Sequence, residues 1–414
     1  MQTKVRALGR KSWKAALTLA AIALGGAAPQ NGPSGIAFYQ PPELGAGAHG
    51  ELIWSRPLSG VPVLESAARN TLILYRTTAL DGRDVAVSGT VAVPKGTPPA
   101  AGWPVITWAH GTTGDAPECA PSRDVPGGPM DTYLGLARGV LDDFVAHGYA
   151  VVQTDYEGQG TPGVHPYLVG TAEGRDTIDM LRAARALDPT IGSRYVVMGH
   201  SQGGHSALFA ASLGPTWAPE LTLLGVAAFA PASQLVPWIE GLVSQTDQYP
   251  GFGFAGLLVR GYASVYPDVR VNDVFVPSVA ALEDQLATRC VLDLFARESW
   301  AGLIPAHAFV PHADVRPLLA RIAENEPGTL HIDVPVLLVQ STTDEIVPAI
   351  ASDLLDAQLC KGKNDVTYFV VAEATHNGVM DASLGTARDW LDDRFAAKPP
   401  SGNCAASVRA APRD

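Results

Sequence analysis

The run Met198-Gly199-His200-Ser201-Gln202-Gly203-Gly204 follows the apolar segment Tyr195-Val196-Val197 and leads into Ser206-Ala207-Leu208-Phe209-Ala210-Ala211. A Gly-x-Ser-x-Gly pentad is thus set between a strand and a helix. A chain can pass from one to the other this abruptly only through a sharp, strained turn. Side chains at Gly199 and Gly203 would collide with the neighbouring strand and helix, and Ser201 itself takes an unfavourable backbone conformation. Ser201 then stands at the C-terminal edge of a sheet. Because glycine occupies 42 of the 414 positions, such a pentad also arises by chance, and its flanks must decide its meaning.

The flanks describe a sheet. Residues 71–76 and 85–93 read as an antiparallel pair of strands joined through Asp81-Gly82-Arg83, and a third apolar strand covers residues 104–108. Leu134, Ala137, Leu141, Phe144 and Val145 recur at helical spacing and stop at Gly148, which suits a left-handed cap. A strand over 150–154, a helix carrying Thr177, Met180, Leu181 and Ala184, and the strand before Ser201 follow in order. Such alternation calls for a mostly parallel sheet with helices on both faces. Beyond the buried strand at 223–230, the next parallel strand, 334–340, is about a hundred residues away, where a crossover needs about a dozen. The surplus, rich in aromatic residues such as Trp238, Phe254, Tyr262 and Trp300, reads as a mostly helical cap over the strand ends.

With 47% hydrophobic and 17% charged residues the chain can bury a large core, and its net charge of -12 argues against nucleic acid as a partner. At the N-terminus Lys4, Arg6, Arg10, Lys11 and Lys14 precede an apolar stretch over 15–24 and the small residues Gly25-Gly26-Ala27-Ala28. This pattern reads as a cleavable export signal and places the protein outside the cell or in the periplasm; an uncleaved anchor is the alternative. Cys119, Cys290, Cys360 and Cys404 form an even set with no Cys-x-x-Cys pair, which suits disulfides in an oxidising compartment. Of the three pairings open to four cysteines, Cys119 with Cys290 and Cys360 with Cys404 is favoured, because the second bond fastens the C-terminal tail; buried free thiols are the alternative. The expected organisation is a signal peptide over 1–28, an N-terminal arm of little periodicity over 29–65, a core in two parts over 66–231 and 331–414, the latter with the tail, and the cap over 232–330.

A serine hydroxyl needs a base to become a nucleophile, and the base needs a carboxylate to hold its tautomer. Asp344 falls in the loop after the strand at 334–340, and His376 in the loop after 368–371. Ser201, Asp344, His376 is the chain order of the α/β-hydrolase fold, and Glu345 is the alternative acid. Negative charge built on an attacked carbonyl calls for fixed donors. The backbone N–H of Gln202 is one, and the loop His110-Gly111-Thr112 offers the other through Thr112, with Thr113 as alternative; His110 and His200 flank the site as structural residues. No cofactor is required, and no His-Glu-x-x-His or Cys/His cluster that would hold zinc is present. The partner expected is a small-molecule or lipid ester, with transient contact to a lipid interface. An acyltransferase or amidase with the same triad, and a non-catalytic hydrolase-like surface-binding domain, are the rival classes.

Further segments carry a family likeness: Arg83-Asp84-Val85-Ala86-Val87-Ser88-Gly89-Thr90, Cys119-Ala120-Pro121-Ser122-Arg123, Thr154-Asp155-Tyr156-Glu157-Gly158-Gln159-Gly160-Thr161-Pro162-Gly163 and the serine turn. With these the chain, from about Tyr75 to His376, resembles the secretory lipase family of α/β-hydrolases, to which the yeast lipase A enzymes belong. The resemblance implies a serine esterase acting on acyl esters under a helical cap that shapes the acyl pocket. It implies Ser201 as nucleophile, Asp344 as acid and His376 as base, and joins Cys119 to a cysteine of the cap, here Cys290.

Overall fold

In the computed structural model, which describes residues 30–312 and 314–404, the strands form a single ten-stranded sheet in the order β1-β2-β3-β4-β6-β5-β7-β8-β9-β10. They are β1 (Gln30–Asn31), β2 (Leu52–Pro57), β3 (Ala67–Thr78), β4 (Asp84–Pro94), β5 (Trp103–Ala109), β6 (Ala150–Thr154), β7 (Ile191–His200), β8 (Thr222–Phe229), β9 (Val336–Ser341) and β10 (Val366–Val371). From β6 to β10 all neighbours are parallel, while β2, β3, β4 and β6 pair antiparallel. The proposed export signal lies outside the described residues.

Alternation along the central strands separates two cores. Ile106 and Trp108 of β5 and Val196 and Met198 of β7 join one apolar cluster with Leu134, Leu141 and Phe144 of helix α1 (Asp131–Ala146). Val105, Tyr195 and Val197 join the other, with Ile178 and Leu181 of α2 (Gly170–Leu187) and Ala207, Leu208 and Ala211 of α3 (Gln202–Trp217). Successive side chains of a strand point to opposite faces, so a sheet covered on both sides must draw apolar residues from consecutive positions. Val196-Val197 and Ile106 beside Val105 do so. Gly148, with φ +88, follows α1 as the left-handed residue that ends the helix.

One expectation is corrected. Within the segment 29–65, whose low periodicity reads as an N-terminal arm over the surface, Leu52–Pro57 instead pairs with β3 and extends the sheet by a strand. The run Leu52-Ile53-Trp54 is short and its neighbours are rich in Gly and Pro, so no alternation shows. Its stabilisation is tertiary: Trp54 lies 6.0 Å from the buried ring of Phe38 and donates its indole N–H to the Phe38 carbonyl at 3.1 Å.

Between β8 and β9 the chain forms α4 (Leu235–Ser244), α5 (Phe252–Val265) and a series of short helical turns, with a further helix at Arg316–Glu324. Phe252, Phe275, Trp300 and Phe309 centre this insertion, with ring centroids 5.4 to 6.1 Å apart. Glu326 accepts the N–H groups of Gln234, Leu235 and Val236, placing a negative charge at the N-terminal end of α4. Cys119 is bonded to Cys290 across 171 residues, tying the insertion to the loop after β5, and Cys360 is bonded to Cys404. Among the described residues no helix is long and apolar enough to cross a membrane.

The tightest approach is at the β7–α3 junction. A Cβ on Gly203 would overlap the Ala109 carbonyl of β5, and one on Gly199 would overlap the carbonyl of Gly203. Neither neighbour is a flexible side chain that can give way. Gly203→Ala is therefore expected to lower the unfolding free energy by about 3 kcal/mol, as overpacking against backbone does. Urea denaturation measures it, and a loss below about 0.5 kcal/mol would contradict the close approach.

Candidate active site

Ser201 follows β7 with φ +58 and ψ -118, a conformation that a non-glycine residue holds only when its surroundings impose it. Its N–H donates to Phe229 O of β8 at 2.8 Å, and its carbonyl accepts the N–H groups of His205 and Ala232, each at 3.1 Å. The backbone is thus held on both sides, while the half-buried side chain faces a cavity.

Asp344 and His376 meet directly. Asp344 Oδ2 lies 2.8 Å from His376 Nδ1, and Oδ1 accepts the backbone N–H groups of Ile346 and Val347 at 2.9 and 2.8 Å. A carboxylate with both oxygens occupied has one orientation, and it is wholly buried. Glu345, the neighbouring acid, accepts instead the backbone N–H of His376 at 2.9 Å. The two carboxylates therefore divide the work: Asp344 takes the ring and Glu345 fixes the loop. Among the described residues Ser201 Oγ makes no hydrogen bond to His376, a contact that often tightens only when substrate is bound. His376 instead packs on His200, the residue before the serine, with ring centroids 4.5 Å apart.

His200 donates from Nε2 to the His376 carbonyl at 2.9 Å, since a carbonyl only accepts. Burial, reinforced by the adjacent His376, holds its pKa well below the usual histidine range, so it is a neutral spacer. Its Nδ1 faces Tyr133 Oη at 3.4 Å, and that oxygen accepts the Gly111 N–H at 2.5 Å. Tyr133 of α1 therefore links the loop after β5 to His200 at the end of β7. His110, also buried and pushed by burial to about 4, bonds the Gly111 carbonyl through Nδ1 at 2.7 Å.

Thr112 and Ser201 line the same cavity, of about 370 Å³. Thr112 Oγ1 is 2.8 Å from Tyr167 Oη, while Thr113 is wholly buried away from the cavity. Among the described residues the backbone N–H groups of Gln202 and Thr112 donate to no protein acceptor. The cavity wall is apolar, with Leu235, Trp238 and Phe254 from the insertion facing Ile346 and Leu354 from the other side. Ile350 and Leu354, at its rim, remain 61% and 45% exposed. No group of three or more His, Cys, Asp or Glu among the described residues is arranged to hold a metal ion.

The spacing of motifs did not point to Tyr133 or Tyr167. Both look like ordinary aromatic core positions, and only their distant partners, 22 and 55 residues away, reveal the contacts.

Comparison with known proteins agrees with this architecture. Secreted triacylglycerol lipases of Malassezia globosa are similar over most of the chain: one is 27% identical over 397 residues, covering 91% of this chain and 83% of its own, and another 29% over 388 residues, covering 89% and 82%. Among solved structures, Candida antarctica lipase A superposes with a TM-score of 0.72 at 19% identity, covering 86% of this chain and 84% of its own. The rice cell wall degrading esterase LipA from Xanthomonas oryzae superposes with 0.66 at 20% identity, covering 85% and 100%. At such identity the likeness is one of fold, and the fold is that of the α/β-hydrolases. The family model for secretory lipases matches residues 134–403, so the chain belongs to the secretory lipase family.

Proposed function

We propose that the protein is an exported serine ester hydrolase in which Ser201, His376 and Asp344 act as nucleophile, base and acid, with the N–H groups of Gln202 and Thr112 as oxyanion donors. The observation that carries this reading is the Asp344–His376 hydrogen bond at 2.8 Å, set beside the strained turn that offers Ser201 to an apolar cavity. The signal-like residues 1–28 and the relatives named as secreted support export, and the insertion over 232–330 is read as a cap whose α4 and α5 supply one wall of the acyl pocket.

In this mechanism Ser201 Oγ bonds to the ester carbonyl carbon as its proton passes to His376 Nε2. Asp344 stabilises the imidazolium, and the carbonyl oxygen, now negative, is held by the two N–H groups. The bond to the leaving alcohol breaks, and the alcohol takes the proton from His376. Water then attacks the acyl-enzyme by the same route, giving the acid and free Ser201. The apolar wall suits the hydrocarbon part of an acyl group, and the exposed Ile350 and Leu354 suit brief contact with a lipid surface. A lipid ester is thus the proposed substrate, in line with the triacylglycerol lipases among the relatives.

Ser201→Ala is expected to abolish hydrolysis of p-nitrophenyl esters while thermal unfolding is unchanged; undiminished turnover would refute the nucleophile. Asp344→Asn is expected to lower kcat by about 10⁴-fold by removing the partner that fixes the imidazole, whereas Glu345→Gln, which keeps an acceptor for the His376 N–H, stays within about tenfold. Equal losses would refute the division between the two acids. Enlarging the pocket with Trp238→Ala is expected to raise kcat/KM for palmitoyl over butyryl esters by about tenfold, the scale of one or two methylenes in an apolar pocket. Competition between the two esters measures it, and an unchanged ratio would place the acyl chain elsewhere.

A further inference from the structure

A carboxylate without solvent contact is costly to bury, by several kcal/mol, unless it is well paired. Glu173, in the first turn of α2, has no exposed surface. Its Oε1 accepts the Gln202 side-chain amide at 2.7 Å and the Leu168 backbone N–H at 2.8 Å. His165 Nε2 is 3.5 Å from the same oxygen, and His205 Nδ1 is 3.7 Å from Oε2. Burial by itself raises this carboxyl's pKa; the His165 and His205 side chains outweigh it and hold it at about 2.

Each of its hydrogen bonds leads to one half of the site. Gln202, wholly buried, carries one of the two oxyanion-hole N–H groups, which has no acceptor among the described residues, and its amide also contacts His165 Nε2 at 2.7 Å. Leu168 has φ +58, unfavourable for a residue with a side chain, and is held by Glu173 at its N–H and by the Tyr262 hydroxyl at its carbonyl, 3.0 Å away. Its neighbour Tyr167 bonds the hydroxyl of Thr112, which carries the other of these N–H groups. Fixed donors stabilise a developing oxyanion because they need no reorganisation, and a misplacement of about 1 Å costs on the order of 10²-fold in rate.

We infer that Glu173 is the positioning residue of the oxyanion hole, fixing Gln202 through its side-chain amide and Thr112 through the 165–168 segment. This rests on the serine hydrolase reading above. The competing role is a structural one, in which Glu173 only caps α2 through the Leu168 N–H. A cap affects stability and leaves the balance between substrate and transition-state binding unchanged.

The test uses the full-length enzyme and its Glu173→Ala, Glu173→Gln and Gln202→Met variants, assayed with p-nitrophenyl butyrate and with a trifluoromethyl ketone that forms a tetrahedral adduct. Glu173→Ala is expected to lower kcat by about 10- to 100-fold with KM within about twofold, and to weaken the ketone in the same proportion. Glu173→Gln keeps an acceptor oxygen and is expected to recover at least half of that loss on a logarithmic scale. Gln202→Met cuts the amide link but leaves the capping bond to Leu168, so it matches the Glu173→Ala loss and decides the matter if that variant does not fold. Variants that fold and keep kcat within about twofold, or that raise KM with kcat unchanged, overturn the assignment. If Ser201→Ala also retains turnover, the hydrolase reading falls as well; if Ser201→Ala is silent while Gln202→Met is fully active, only the role of Glu173 falls.

Discussion

The close backbone approach at the β7–α3 junction governs the rest of the site. With no Cβ at Gly199 or Gly203, α3 lies against the Ala109 carbonyl, and the chain between them must turn within Ser201 alone. The resulting φ of +58 costs on the order of 1–3 kcal/mol. Its hydrogen bonds to Phe229, His205 and Ala232 offset that strain by tying the serine to β8 and the helix. A residue held this way presents its side chain outward and leaves the N–H of the following residue, Gln202, without an acceptor among the described residues.

Four further groups of the site sit on segments that leave the same edge of the parallel block. Thr112 follows β5, Tyr167 lies beyond β6, Asp344 follows β9 and His376 follows β10. Side chains separated by more than two hundred residues thus converge beside a single cavity, as open α/β sheets generally arrange at their C-terminal strand ends. The insertion closes that cavity from one side. Its bond from Cys290 to Cys119 fixes it to the loop that carries the buried Asp155 contact, where Ser122 bonds the carboxylate through its N–H at 3.0 Å.

The parallel sheet and the serine turn were legible in the sequence because both are local patterns: apolar runs of strand length, helical spacing, and glycines where a side chain cannot fit. The chain order Ser201, Asp344, His376 was legible for the same reason, since each follows a recognisable strand. The sequence favoured Asp344 over the adjacent Glu345 as the acid, but it gave no role to Glu345; in the folded loop Asp344 bonds the ring and Glu345 accepts the backbone N–H of His376. Glu173 and Tyr133 were invisible. Their meaning lies in partners 29 and 22 residues away on other elements, and a charged residue in a helix gives no sign of being buried. Strand β2 was missed because its stabilisation comes from β3 and Phe38, and hardly from its own short apolar run.

The central claim is that chemistry passes through a covalent bond to Ser201. Incubating the enzyme with a p-nitrophenyl alkylphosphonate and mapping the adduct by peptide mass spectrometry tests it most directly. The account predicts one phosphonyl group per chain, on the peptide containing Ser201, in step with the loss of ester hydrolysis. Complete inactivation with the adduct on any other residue, or continued hydrolysis with Ser201 fully modified, would contradict it.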